Sequence, residues 1–368
     1  MIIDEAFDRL LDLFRPKAIT IPHLDGAMQP NMRLDEAPVL ASLHEPDNVA
    51  DVGGDLWCSS GASLQRIDLA SDHGKPEVIR EFDAQIACLA GAPDGGHAVG
   101  LNDGTIIVRG PGESVVELPS VGPDRLKCPV ALCFAGPRKL VVCQGSDRVP
   151  PSQNVRDLML AGNSGSVWML DLDRGTEVCL AGGLAWPYGA VVLPEPDGIL
   201  VSESWRHRIL RLRSSGGRPE TVLYNLHGYP ARLSRLRDRS VMLCIFAPRN
   251  RLIEFVLMED EFRRQMVETM APEHWIAPAL RTGESFLEPL QQGGVKIMGI
   301  HKPWAPTLSY GLVVRLGADG TPAASFHSRA NGTRHGMTSC CEIQGRIFAT
   351  SKGGHCIVEL PQETGAGT

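Results

Sequence analysis

The stretch Pro187-Tyr188-Gly189-Ala190-Val191-Val192-Leu193, then Pro196-Asp197-Gly198, then Ile199-Leu200-Val201-Ser202-Glu203-Ser204-Trp205-Arg206-His207-Arg208-Ile209-Leu210-Arg211-Leu212, decides the fold. Its apolar runs are four to eight residues long, and its breaks are turn dipeptides that preset φ or tolerate a positive one. That is a strand, a turn, a second strand, a polar break and a third strand. The same grammar recurs from Pro46-Asp47-Asn48-Val49 to Ile67-Asp68-Leu69, and from Pro129-Val130-Ala131-Leu132 to Leu170-Asp171-Leu172 with a polar loop inserted near residues 146–162. It starts again at Tyr229-Pro230-Ala231-Arg232 and runs last from Gly336-Met337-Thr338 to Ile357-Val358-Glu359-Leu360. Asp94-Gly95, Asp103-Gly104 and Asp319-Gly320 supply further turns. A period of about 40 to 55 residues is that of four-stranded propeller blades, and the length holds about six of them. A pair of β-sandwiches would explain the strands but not the repeated unit.

The fold class read from the sequence is therefore all-β, a six-bladed β-propeller over 38–368. Residues 1–37 form an N-terminal helix and lead-in. Ile3, Phe7, Leu10, Leu11 and Phe14 share one helical face, Asp4 is placed to cap it and Pro16 follows its end. A helical and loop insertion is expected between late blades over 258–309, as a lid on the channel or a helix packed outside. In it Phe262, Met266 and Met270 fall on one face.

Composition narrows the function. The chain has 368 residues, 43% hydrophobic and 21% charged, which is ordinary for a globular protein. Its 39 glycines and 27 prolines, about 18% of the chain, exceed the usual roughly 12%, as frequent turning requires. A formal charge of -7 argues against nucleic acid as a partner. No apolar run is long enough to span a membrane, and the acidic start lacks the pattern of a secretory signal, so a cytoplasmic location is expected. The ten cysteines form no CxxC pair and sit in apolar runs such as Ala131-Leu132-Cys133-Phe134, which favours buried free thiols over disulfides or metal ligands. GxGxxG after a strand, the P-loop and HExxH are all absent.

Residues 182–256 carry a resemblance. Gly183-Leu184-Ala185-Trp186-Pro187-Tyr188-Gly189-Ala190-Val191, Pro196-Asp197-Gly198, Val201-Ser202-Glu203-Ser204-Trp205-Arg206-His207-Arg208 and Leu226-His227-Gly228-Tyr229-Pro230 resemble the strictosidine-synthase-like group. That group stands with paraoxonases, gluconolactonases and the SMP-30 proteins among six-bladed propellers. The resemblance implies an axial polar pocket, often holding calcium, and in many members hydrolysis of lactones or esters. The first-blade carboxylate of the pattern falls near Asp47. The other metal-binding positions fall on Tyr188, on Ala231-Arg232 and near Val130 to Leu132, where a carboxylate or amide is missing. Calcium needs six or more oxygens, so no cofactor and no family-type calcium is expected. The glutamate used by true strictosidine synthases falls near Thr338, so that condensation is not expected either.

The candidate catalytic residues are His335, ahead of the last innermost strand, and Asp47. A satisfied structural histidine and a turn-capping aspartate are the competing readings. Candidate substrate-binding residues are Tyr188, Arg232, Arg249, Lys302, Trp304, His327 and Arg334. His327, Arg329, Arg334 and His335 place two imidazoles and two guanidinium groups within nine residues, a set suited to anions and acid–base work, or else a solvated loop around Asn331-Gly332. Arg232 would be a fixed positive charge standing where the ion's ligands are lost. Glu203, in an apolar strand, needs a cation from Arg206, Arg208 or Arg232 and reads as a structural ion pair. The function expected is metal-independent hydrolysis of a lactone or ester, on a small polar or anionic organic substrate. The alternatives are a lyase, isomerase or condensing enzyme in the same pocket, or a non-catalytic binding propeller.

Overall fold

Alternating apolar runs closed by Asp-Gly turns become antiparallel strands because each turn is locked locally. Gly104 has φ +94° and Asp103 Oδ1 accepts from Thr105 N at 2.9 Å. Gly320 has φ +83°, and Asp319 Oδ1 accepts from Thr321 N at 3.0 Å. In the computed structural model such hairpins build six four-stranded sheets. The structure describes residues 20–71, 74–111, 115–118, 128–194, 198–214, 216–283, 295–297, 300–302 and 308–361. The helix expected over residues 3–15 lies outside them.

The blades follow in chain order. Blade 1 is Pro46–Val52, Asp55–Ser60, Ser63–Ile67 and Pro76–Glu81, and blade 2 is Ile86–Gly91, His97–Leu101, Ile106–Arg109 and Val115–Leu118. Blade 3 is Pro129–Gly136, Lys139–Gln144, Gly165–Asp171 and Thr176–Leu184, and blade 4 is Pro187–Val192, Ile199–Glu203, Arg208–Leu212 and Glu220–Leu223. Blade 5 is Gly228–Arg235, Val241–Pro248, Gly311–Leu316 and Pro322–Ser328. Blade 6 takes Met337–Ile343, Arg346–Ser351 and Cys356–Leu360 from the end of the chain, and Val39–Ser42 pairs with Cys356–Leu360 as its fourth strand. Two distant segments thus close the ring, and closure covers the faces of the first and last blades that an open array would expose.

The first strand of each blade packs against the first strands of both neighbours, so these six line the axis. Second strands are mostly buried, Val241–Pro248 almost throughout, because both of their faces meet another blade. Fourth strands face outward. Pro76–Glu81 is mostly exposed and carries Glu77, Arg80 and Glu81, charges that keep a free edge from pairing with other chains. The ten cysteines are free, and eight of them are buried.

The insertion departs from expectation in place. It lies inside blade 5, between its second and third strands, rather than between blades. It begins with helix α2, Arg251–Met258, capped by Asn250, whose Oδ1 accepts from Leu252 N at 2.8 Å. Helix α3, Asp260–Thr269, follows, and its buried face is Arg263, Met266 and Val267, while Phe262 and Met270 are exposed. The polar loop of blade 3 occupies the equivalent place between second and third strands and holds helix α1, Asn154–Met159. The two insertions meet. Met159 packs with Val256, Met266, Val267, Trp275 and Ala277, burial that stabilises the joint by about 1.5–3 kcal/mol per large side chain. Among the described residues no helix is long and apolar enough to cross a membrane.

A candidate active site at the propeller hub

Each innermost strand carries a register break near its start. The breaks fall at Asp47, Ala87, Val130, Tyr188, Ala231–Arg232 and Thr338. A β-bulge leaves its extra residue out of the ladder and re-aims it, so six bulges on a ring turn six residues toward one axis. Four of those strands begin Pro46-Asp47, Pro129-Val130, Pro187-Tyr188 and Tyr229-Pro230-Ala231, where a proline at the bulge donates no ladder bond.

Arg232 occupies the centre. Its Nη1 donates to Asp47 Oδ1 at 2.8 Å, to Asp47 O at 3.3 Å and to Thr338 O at 3.5 Å. Its Nη2 donates to Ala87 O at 2.7 Å and Val130 O at 3.4 Å. The guanidinium lies over the Tyr188 ring at 4.9 Å. Its Nε has no acceptor among the described residues. Gly189 makes the approach feasible: a Cβ there would stand 2.6 Å from Ala231 O and 2.7 Å from Arg232 Cα.

Asp47 is shared between two cations. Oδ1 faces Arg232, and Lys352 Nζ donates to Oδ2 at 3.0 Å. Burial pushes the Asp47 carboxyl up, but Lys352 and Arg232 outweigh it and hold the group far below the usual carboxylate range. Asp47 raises Lys352 in turn, and burial pushes the Tyr188 phenol up. Thr338 Oγ1 donates to Asp47 O at 2.7 Å, fixing the strand that carries the carboxylate.

Asp47, Tyr188, Thr338 and Lys352 floor a cavity of about 290 Å³, which Arg232 itself does not line. Gln85, Asn102, Ser152 and Asn154 give it polar walls, Phe246 and Leu280 apolar ones, and Glu45 stands at its rim. Ser152 N donates to Asn102 Oδ1 at 2.8 Å, so the blade 3 insertion is tied over blade 2. Both insertions therefore line the mouth. Lys352 is a quarter exposed to this space, and beyond Asp47 its ammonium has no protein partner among the described residues.

Of the candidate residues, the structure brings Asp47, Tyr188 and Arg232 together, and it separates the rest. His335 does not line the cavity. Its Nε2 faces Arg329 O at 2.8 Å and its Nδ1 faces Thr282 Oγ1 at 3.5 Å, while its backbone oxygen accepts from Ser351 Oγ and Gly353 N. The residue braces the turn that presents Lys352. The chain reaches the hub only at Thr338, which is why a histidine ahead of the strand falls short.

Arg249 serves a second buried cluster. It binds Glu254 Oε2 through Nε at 3.1 Å and Nη2 at 2.9 Å, and Tyr229 donates to Glu254 Oε1 at 2.9 Å. That cluster anchors α2. His327 lies on the outermost strand of blade 5, where Tyr310 and Ser325 satisfy its ring at 2.6 and 2.8 Å. Arg334 sits in the loop that follows this strand, with Thr333 Oγ1 at 2.9 Å. Glu203 pairs with Arg206 at 2.7 Å and Arg208 at 2.5 Å, the ion pair expected of it, and Arg232 takes no part. The side chain of Lys302, and Trp304 altogether, lie outside the described residues. Lys352 was missed. In Ser351-Lys352-Gly353-Gly354 it reads as a solvated turn, and only the repeat register, which ends a second strand there, would have marked it.

The hub does not suit a calcium ion. Such an ion takes six or more oxygens, preferably several charged ones. Here one carboxylate is present, both of its oxygens are engaged by side-chain cations, and Tyr188 and Val130 bring no carboxylate or amide. Among the described residues no group of three or more His, Cys, Asp or Glu is placed to hold a metal.

Known structures share the architecture. A gluconolactonase from Xanthomonas campestris matches with a TM-score of 0.55 and 14% identity over 88% of each chain. Regucalcin from Agrobacterium tumefaciens, a calcium-binding protein, matches at 0.52 and 13% identity over 89% of this chain and 92% of its own. The chain shares their six-bladed propeller fold. No protein-family model matches the sequence, and no curated protein sequence matches it.

Proposed function

We propose that the axial cavity is the active site of a small-molecule hydrolase that opens a lactone or ester without calcium. One observation carries this reading: a carboxylate held between two cations, one of which keeps free N–H donors facing the cavity. The carboxylates of Asp47 and Glu45 offset the cations Lys352 and Arg232, and the ammonium that faces the space suits the carbonyl of a polar organic substrate. Lys352 is the electrophile. A substrate carbonyl oxygen accepts from its ammonium, and the bond strengthens as that oxygen gains charge in the tetrahedral intermediate. Asp47, too acidic to be an effective base, keeps Lys352 protonated and aimed. Glu45, whose carboxylate has no cation partner among the described residues, takes the proton of the attacking water at the rim and returns it to the leaving alkoxide as the C–O bond breaks, giving acid and alcohol. The shared fold of a gluconolactonase supports the reaction class.

The test is hydrolysis of a panel of sugar lactones and aryl esters, followed by acid release with and without a chelator. Turnover should survive chelation, and Lys352→Met should lower kcat/KM by roughly 100-fold or more. Hydrolysis abolished by chelator, or unchanged in Lys352→Met, would overturn the mechanism. A second reading, binding without turnover, is favoured by the depressed Asp47 carboxyl, which removes the most central base. Thermal stabilisation by sugar acids with no acid release from any lactone or ester would establish it.

A further inference from the structure

The bulges do more than aim side chains. They leave backbone carbonyls of blades 1, 2, 3 and 6, those of Asp47, Ala87, Val130 and Thr338, pointing at one spot on the axis. A ring of carbonyl oxygens with one carboxylate is the chemistry of a cation site. Unfilled, those dipoles would repel one another in a buried site, and of the four only Asp47 O would keep a side-chain donor, from Thr338 and Thr350, which is costly. The spot is filled by the chain's own guanidinium, reaching in from the bulge of blade 5.

We propose that Arg232 is a built-in hub cation, which ties the inner strands of four other blades together and makes a bound metal ion unnecessary for a closed hub. The fit is specific to a planar, multi-donor cation. Nη1 serves blades 1 and 6, Nη2 serves blades 2 and 3, and the face rests on Tyr188 from blade 4. Every blade of the ring thus meets this one side chain. An ammonium has three donors on one atom and cannot reach both sides of the ring at once. This holds whichever compound the cavity above takes.

The experiment is cavity rescue followed by thermal unfolding. Arg232→Ala should lower Tm by about 4–6 °C, as expected when one partner of a buried ion pair is removed from a chain of this size. Low-millimolar methylguanidinium should restore at least about half of that loss, by occupying a site that binds only the folded form. Tetramethylammonium at the same concentration should restore none. The double variant Asp47→Asn, Arg232→Ala should show no methylguanidinium effect, a selectivity that general loss of packing would not produce. Wild type should keep the same Tm in excess calcium and in chelator.

The proposal fails if Arg232→Ala melts with wild type, if both cations rescue equally, if rescue persists without the Asp47 charge, or if calcium raises the wild-type Tm. Should Arg232→Ala not fold, Arg232→Lys and Arg232→Met decide. The lysine variant, keeping the charge but not the fork, should melt between wild type and the methionine variant. Equal melting of the two would overturn the role of the cation.

Discussion

Lys352 and Asp47 meet at 3.0 Å although one opens the turn after the second strand of blade 6 and the other lies at the start of the inner strand of blade 1. The pair spans the seam where the last blade in sequence meets the first. Removing the lysine leaves Asp47 with Arg232 alone in a buried site. Lys352→Met should therefore cost about 1–3 kcal/mol, less than the full penalty for an unpaired buried charge because one partner remains. Denaturant midpoints of wild type and variant check this. An unchanged midpoint would mean that Lys352 is solvated and the contact is idle.

Glu254 should dominate acid lability near the insertion. Burial pushes its carboxyl up, but His207 and Arg249 prevail and hold it at about 2. A carboxyl lowered by folding contributes stability that is present above its unfolded value near 4.5 and is lost as pH falls toward 2. The shift corresponds to about 3 kcal/mol as an upper bound. Glu254→Gln should flatten the stability profile between pH 4.5 and 2 while lowering stability at neutral pH. Parallel profiles for the two proteins would contradict this.

Much of the propeller was legible because its signals are local. An Asp-Gly turn locks through its own side chain, and a strand of alternating polarity needs no distant information. Pro46-Asp47, Pro129-Val130 and Pro187-Tyr188 even mark the hub, because proline tolerates the bulge that aims the next residue inward. The candidates that fell away depended on distance from the axis. His327 and Arg334 are close to Thr338 in sequence, yet His327 lies on a fourth strand at the outer rim of its blade and Arg334 in the loop that leads from there to the hub. Arg249 ends a second strand on the mouth side, but Glu254, one helical turn later, captures it. The sequence points to an insertion between blades because Gly311–Leu316, the third strand of blade 5, is separated from its second by two helices, so the repeat pattern breaks off before the blade is complete.

Two buried histidines, His327 and His335, and the half-buried His97 should stay neutral as the pH falls below 6.5. Burial lowers His327 and His97 to about 4, and lowers His335 as well. For a histidine the sign is that the neutral form belongs to the fold. Stability is complete above about 6.5 and declines as pH falls toward 4, because the unfolded chain takes up the proton first. Side-chain NMR should show the rings of His327 and His97 without a titration step between pH 8 and about 5. A midpoint near 6.5 for His327 would mean that the hydrogen bonds with Tyr310 and Ser325 do not enclose it.

Glu203 is fully buried and accepts from Ala185 N at 2.8 Å as well as from its two arginines. Glu203→Ala should cost about 3 kcal/mol, the low end for a broken buried ion pair, because Arg206 and Arg208 reach solvent once released. Glu203→Gln keeps an acceptor for Ala185 N and should cost less. Ligand binding in the cavity should be retained by the glutamine variant, since Glu203 is not among the residues that line it. Loss of binding with intact stability would instead place Glu203 in the site.

Gly189 sets how closely blade 4 approaches blade 5 at the axis. Its added Cβ would press on Ala231 O and Arg232 Cα, both backbone atoms that cannot rotate away. Gly189→Ala should therefore push the bulge of blade 5 outward, at about 1–3 kcal/mol for overpacking. The same shift would lengthen the bonds from Arg232 to Asp47, Ala87 and Val130. Because Asp47 owes part of its acidity to Arg232, its carboxyl should titrate higher in Gly189→Ala than in wild type. Denaturant unfolding together with the carboxyl 13C shift of Asp47 separates the effects. A loss of stability with the Asp47 titration unmoved would show that the glycine serves strand packing alone, and that the guanidinium keeps its place without it.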